Sequence, residues 1–506
     1  MKRTLTLFSA VLLLASLLPA SSQAATPKIG GPCQSEGQWT GNGAGKLLYC
    51  VKSGNKLVWS AQQPKQSGAG GGSQQSSAPS AGAPCSQLNQ QTATIPDAVL
   101  MGKTFTCIQS GKKLVWNNGE VTLWNGLTGA TSVTCKGTST KLTAGIVDPT
   151  KLAWIWPLGW MEGAHVTPTD HLQIDYPRDA AGNPNAPDGT WLVNSPADGS
   201  IISVGAFQST NDYPYSDYRV VISHSCNLFS VFIHVSKLIG RAADILHHLK
   251  GGQWEGNFPI KSGEVFGDDS AHGGFDYSLF DQTKKLKGLD TPSFAGTPAE
   301  LYVANILDYL PASLKLAYEA KFLSTTAPIG GKIDWNVAGS AQGDWFVENT
   351  NGFRGLNTAN AVTYYQQCHV YTATHLAIAP DSIVRDAFIF SFGAWAGGCA
   401  HRFVSKDPTF DPSKITSASG TVVIELVEIG FVDAGGAPLA SLDAKGAPVE
   451  RGYLPKGYQI VPGDTVQGLL AIRLNKDNSL TVEQFPGVTS KSSFTGFDAQ
   501  AQTYVR

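Results

Sequence analysis

Past its first two dozen residues, this chain of 506 residues has no stretch approaching the ~18 uninterrupted apolar residues that a membrane-spanning helix needs. A later transmembrane anchor is therefore not expected. No basic stripe is present either. With Lys2 and Arg3 set aside, 35 basic side chains face 39 acidic ones, a formal charge of −4, so nucleic acid is not an expected partner. There is no HExxH, no GxSxG elbow, no glycine-rich phosphate loop and no dinucleotide fingerprint, which removes the commonest hydrolase, nucleotide-binding and dehydrogenase signatures.

What is there begins with Lys2 and Arg3 before an apolar run from Leu5 to Leu18 and a small-residue cleavage signal at Ser22-Gln23-Ala24. This pattern predicts a secretory signal peptide over residues 1–24 and a mature protein released to periplasm, cell wall or medium. No lipobox cysteine follows it. The 55 glycines and the many short β-rich segments predict a mainly β, multi-domain protein.

An internal repeat organises the N-terminal part. Gly31-Pro32-Cys33 leads to Cys50 and Trp59, and Ala83-Pro84-Cys85 leads to Cys107 and Trp116, with each Trp nine residues after its second Cys across a Ser-Gly turn. Two modules follow, over 25–60 and 85–120. Units this small cannot bury enough apolar surface alone, so disulfides Cys33–Cys50 and Cys85–Cys107 are expected. Zinc is the competing reading, but neither module supplies four ligands. Trp59 and Trp116 are candidate glycan-binding residues or simply the core of each module. Residues 61–84, rich in Gln, Gly, Ser, Ala and Pro, read as a flexible linker.

Residues 193–236 alternate apolar and polar around a Pro-Ala-Asp-Gly turn, which predicts a β-hairpin and two further antiparallel strands. Val193 to Ile201, Val221 to His224 and Phe232 to Ser236 resemble the core of the lysostaphin-type zinc endopeptidases and their duplicated-hybrid-motif relatives. The resemblance implies an antiparallel β domain, placed at 121–290. It also implies a zinc site, held in the family by the His and Asp of an HxxxD segment and the second His of a late HxH strand.

Carried onto this chain, the resemblance makes His171 and Asp175 the metal ligands, and His234 and His272 the groups acting on the attacking water. Gly263 to Gly267 resembles the family's G-x-x-V-G turn, Phe275 and Asp276 take the Phe and acid of the late strand, and Gly274 falls where the second histidine belongs. Glycine cannot ligate a metal. A non-catalytic version of the fold, with no cofactor, is therefore the first reading, and a zinc endopeptidase with a third ligand from Asp268, Asp269 or Asp276 is the alternative.

Plainer readings stand beside these. His234 on an alternating strand also suits a buried, hydrogen-bonded histidine, and His247-His248 suit an exposed helix C-terminus. Asp170, beside the Pro168 turn, suits a turn residue. A Cys226 nucleophile competes with a Cys226 disulfide, and the pairing of Cys135, Cys226, Cys368 and Cys399 is open, with Cys368–Cys399 preferred on proximity.

Residues 291–325 predict two short helices interrupted at Pro311, a helical connector. From 326 to 506 the pattern returns to strands, as in a C-terminal β sandwich or barrel. Within it Asp334, Trp335, Asp344, Trp345 and Glu348 could build a sugar site, or an edge strand with its Trp turned inward. The sequence thus points to an exported, cell-wall or surface-associated protein with glycan or peptide as partner. The alternative is a zinc metallo-endopeptidase acting on wall peptides.

Overall fold

The alternating runs become strands, and the chain is mainly β. The structure, a computed structural model, describes residues 137–506 except 164, 180–183, 185, 207–216, 290, 295–297, 356–370 and 441–450. Before 137 it describes 30–32, 39–41, 47–54, 56–60, 82–88, 91–93, 102–116, 120–125 and 129–132. Residues 1–64 and 65–506 form two compact units.

In the first unit, strands Trp39–Gly41, Leu47–Ser53 and Lys56–Ser60 form a small antiparallel sheet that turns at Gly54. Trp59 is buried. Its backbone N–H donates to Gly31. In the second unit the repeat has the same local plan: Trp116 donates to Ala83, and Gly111 turns Gly102–Ser110 back along Lys113–Trp116. Trp116 is half-buried. The expected Cys85–Cys107 disulfide is present, across 22 residues. The Cys33–Cys50 pair lies outside the described residues. Cys226 and Cys399 are also disulfide-bonded.

Seven strands make the sheet that carries the candidate site: β1 (Trp154–Trp156), β2 (Leu172–Asp175), β4 (Gly199–Ala206), β5 (Tyr218–Ser223), β6 (Leu228–Val235), β8 (Gln253–Ile260) and β10 (Gly274–Asp281). Their order is β8-β4-β5-β6-β10-β2-β1, antiparallel throughout. A second sheet joins β3 (Leu192–Asn194), β9 (Val265–Asp268) and β7 (Lys237–Leu238).

The expected hairpin at Asp198-Gly199 is not one. Its two arms, β3 and β4, belong to different sheets, so the Pro-Ala-Asp-Gly turn is a corner between layers. Ser195 and Asp198 hold that corner: Ser195 donates to Ala197, and Asp198 accepts from Ser262. Val193, Phe266 and Leu238 then face Ile201, Val221, Phe232 and Tyr277 in one buried core.

The connector also departs from expectation. Only Ala312–Glu319 is α-helical among the described residues, and it starts after Pro311. Before the proline, Leu301, Val303, Ala304, Ile306 and Leu307 are all buried, so there is no single apolar face for a helix to present. The segment instead runs beside β10 in 3-10 turns, with Ala304 donating to Leu279.

Residues 343–505 form a closed barrel. Strands β11 (Gly343–Val347), β12 (His375–Pro380), β13 (Phe388–Phe392), β14 (His401–Ser405), β15 (Val422–Val432), β17 (Gln459–Leu474), β18 (Leu480–Pro486) and β19 (Gln502–Val505) run in the order β14-β13-β12-β11-β19-β18-β17-β15. The short β16 (Pro438–Leu439) hangs on β15. Val404 opposite Val427 closes the ring. Trp345, Phe390, Phe392, Leu426, Leu470 and Ile472 fill it, as expected of a barrel with eight strands. Outside, Met161 sits among Ala377, Ile389 and Val404, and Arg402 donates to its carbonyl at 2.6 Å. The barrel thereby anchors the loop that leads to His165 and His171.

Candidate functional site

Register decides which face each side chain takes. In β2, Leu172 and Ile174 point into the core, so Gln173 and Asp175 point to the opposite face, with His171 just before them. Gln173 lies opposite Asp276 on β10, which puts the Asp276 carboxylate on that same face.

On the other side of β10, a β-bulge brings in His234. Tyr218 pairs with Val235 and Val220 with Phe232, so Ile233 and His234 together oppose Arg219. His234 takes the left-handed conformation, φ 72°, which is uncommon for a residue with a side chain. Bulges re-aim side chains, and this one directs the imidazole toward Asp276.

The result is a relay of alternating bases and acids. His171 Nδ1 lies 2.9 Å from Asp170 Oδ1, and His171 Nε2 lies 3.5 Å from Asp276 Oδ2. His234 Nδ1 lies 2.9 Å from Asp217 Oδ2, and His234 Nε2 lies 3.7 Å from the same Asp276 oxygen. The His272 ring is 5.7 Å from that of His234, and the His165 ring is 5.1 Å from that of His171. Trp160 packs on His165 at 4.3 Å.

The charges follow from these neighbours. Burial opposes protonation of His171, but Asp276 and the Asp170 hydrogen bond outweigh it and lift its pKa to about 9. His234 is raised in the same way, against burial, by Asp217 and Asp276. His165 is pushed down to about 4 by burial and by the charge on His171, and His272 is lowered by burial and by His234. Glu300, hydrogen-bonded to Asp170, is held well above the carboxylate range by burial and by that neighbour. The cluster is thus built as imidazolium–carboxylate pairs around one central acid.

The predicted site residues divide. His171, His234 and His272 come to one region, and Asp276 lies between the first two. Asp175 does not join them. It is separated from His171 by about 13 Å of extended chain. Its Oδ2 instead accepts the indole N–H groups of Trp154 at 3.1 Å and Trp156 at 2.9 Å, and its Oδ1 accepts from Gln173. Gly274 lies opposite Asp175, and a Cβ there would stand 2.7 Å from the Ile174 carbonyl oxygen. A histidine has no room at that position.

The other proposed third ligands are engaged in turns. Asp268 accepts from Gly189 and Ser270, and Asp269 accepts from Ser236. Among the described residues, no group of three or more His, Cys, Asp or Glu side chains is placed to hold a metal ion. Of the zinc set implied by the resemblance, His171 and Asp175 are thus not brought together, and position 274 offers no side chain.

Several single residues resolve as well. Cys226 is disulfide-bonded, so it is not a nucleophile. His224 is buried, with Nε2 2.8 Å from Ser230 Oγ, and burial lowers its pKa to about 4, the signature of a core histidine. His247 and His248 are exposed at the end of a 3-10 helix, Gly240–His248. Trp345 is turned into the barrel, with its indole N–H on Ala341. Asp217, Arg219 and Glu300 were not singled out from the sequence. Arg219 faces a bulge that is a register event between two strands, Glu300 comes from the turn Pro298–Tyr302, and only the adjacent Asp170-His171 pair left a local signal.

No protein-family model matches the chain, and no curated protein matches it.

Proposed function

We propose that this is an exported, cell-wall or surface-associated protein whose lysostaphin-like domain binds wall material without hydrolysing it. The observation that carries this reading is the fate of the metal positions. Asp175 is committed to two indoles, position 274 admits no side chain, and the two histidines share Asp276 as charged partners. A hydrolytic zinc needs three protein ligands and an open fourth position. The leader at residues 1–24 and the Cys85–Cys107 disulfide support an oxidising, extracytoplasmic setting.

One observation favours the zinc endopeptidase reading. The Nδ1 atoms of His171 and His234 rest on carboxylates while both Nε2 atoms face a third, which is how outer carboxylates orient metal-binding histidines. The full chain, incubated with purified cell wall, separates the two. Binding reads out as co-sedimentation with the wall peptides uncut by mass spectrometry, and a chelator changes nothing. Peptide cleavage that the chelator abolishes would overturn the binding reading in favour of the enzyme.

A further inference from the structure

We infer that Arg219 is a recognition residue for a ligand carboxylate, and that the wall component taken by this site is a peptide with a free carboxylate. The inference rests on the wall-binding reading and names its ligand chemistry. Arg219 sits on β5 directly across from the bulge formed by Ile233 and His234. Arg219 is half-buried, and its guanidinium makes no hydrogen bond or ion pair among the described residues. Burial lowers its pKa to about 10, with Asp170 the acid that pulls the other way.

A guanidinium has five N–H donors and stays protonated near neutral pH, so with no protein acceptor its donors remain available to an incoming one. The nearby acids do not take them. Asp170 is held by His171 and Glu300, Asp217 by His234, and Asp276 lies between the two imidazoles. Among the described residues, Arg219 is thus a cation beside this cluster that is left for an incoming anion. It lies beside a backbone held in an uncommon conformation, a feature that concentrates at binding sites.

The ligand's charge follows from the same inventory. Asp170, Asp217 and Asp276 already line the region, so a doubly charged phosphate meets three acids. A carboxylate brings one negative charge and matches the guanidinium fork with two parallel hydrogen bonds. The side chain of His234 is 38% exposed, so the region is open to solvent on that side.

The test uses the full chain and two probes: a synthetic wall stem peptide with a free C-terminal carboxylate, and the same peptide as its C-terminal amide. Wild type should bind the acid at least about tenfold more tightly than the amide. Arg219→Gln should abolish that preference with an unchanged melting temperature, and Arg219→Lys should restore it only in part. Equal binding of acid and amide by wild type, or a preference that survives Arg219→Gln, would overturn the inference. Displacement of the peptide by inorganic phosphate but not by acetate would also overturn it. If neither peptide binds while the chain still sediments with wall, the carboxylate inference fails and the binding reading stands. If neither peptide nor wall binds, both fail.

Discussion

Asp175 accepts the indole N–H of Trp156 at 2.9 Å, with a second indole, that of Trp154, on the same oxygen. The carboxylate is 1% exposed and ties β2 to its neighbour β1. Asp175→Ala leaves two indole donors without their acceptor and should cost about 2–4 kcal/mol, whereas Asp175→Asn keeps one oxygen and should cost less. Urea melts of both variants check this. An Asp175→Ala protein of native stability with reduced metal uptake would return the residue to a ligand role.

Gly274 makes the complementary case. A Cβ at this position would stand 2.7 Å from the Ile174 carbonyl oxygen and 3.0 Å from Asp175 Oδ1. Gly274→Ala should therefore destabilise by about 1–3 kcal/mol. Gly274→His, which introduces the residue type found at the resembling position of the lysostaphin-type endopeptidases, should destabilise further and confer no zinc binding. Zinc uptake by a stable Gly274→His protein would contradict the register described above.

The strands, the repeat and the Cys85–Cys107 bridge lay within reach of sequence pattern, because alternation and turn residues are local, whereas the choice between sandwich and closed barrel rests on the long-range pairing of Val404 with Val427. The site was half legible. The resemblance singled out His171, His234 and His272, which the structure brings to one region, and Asp175, which it places apart from them. An HxxxD segment brings its ends together only if the chain turns between them, and here Leu172–Asp175 is an extended strand. The role of Arg219 was invisible because a bulge between β5 and β6 leaves no local mark. The Pro-Ala-Asp-Gly corner misled for the same reason: the turn chemistry is genuine, but which sheet each arm joins is decided by the core.

In the barrel, Asp344 is buried and its Oδ1 has no hydrogen-bond partner. Burial lifts its pKa to about 8, with Asp334 adding to the shift and Arg506 opposing it. A folded pKa above the unfolded value means that the native state holds the proton more tightly. Its contribution to stability is therefore full below pH ~4 and is lost as pH rises through about 8. Asp344→Asn should remove that part of the pH dependence, so the variant gains on wild type between pH 6 and 9. Parallel stability curves for the two proteins would contradict the assignment.

The second module depends on its bridge. Reducing Cys85–Cys107, or replacing both residues with Ala, should destabilise that module by about 2–4 kcal/mol while the barrel melts unchanged. Differential hydrogen exchange of residues 102–116 against 343–347 resolves the two. Simultaneous loss of protection in both segments would show that the module and the barrel unfold as one.

The central proposal is that His171, His234 and Asp276 form a charged relay that holds no metal. The direct measurement is zinc per chain by elemental mass spectrometry, on protein purified without added metal and again after incubation with excess zinc and desalting. Substoichiometric zinc is expected in both samples, with no change on Asp276→Asn. One zinc per chain, lost in Asp276→Asn, would contradict it and place a metal between the two histidines.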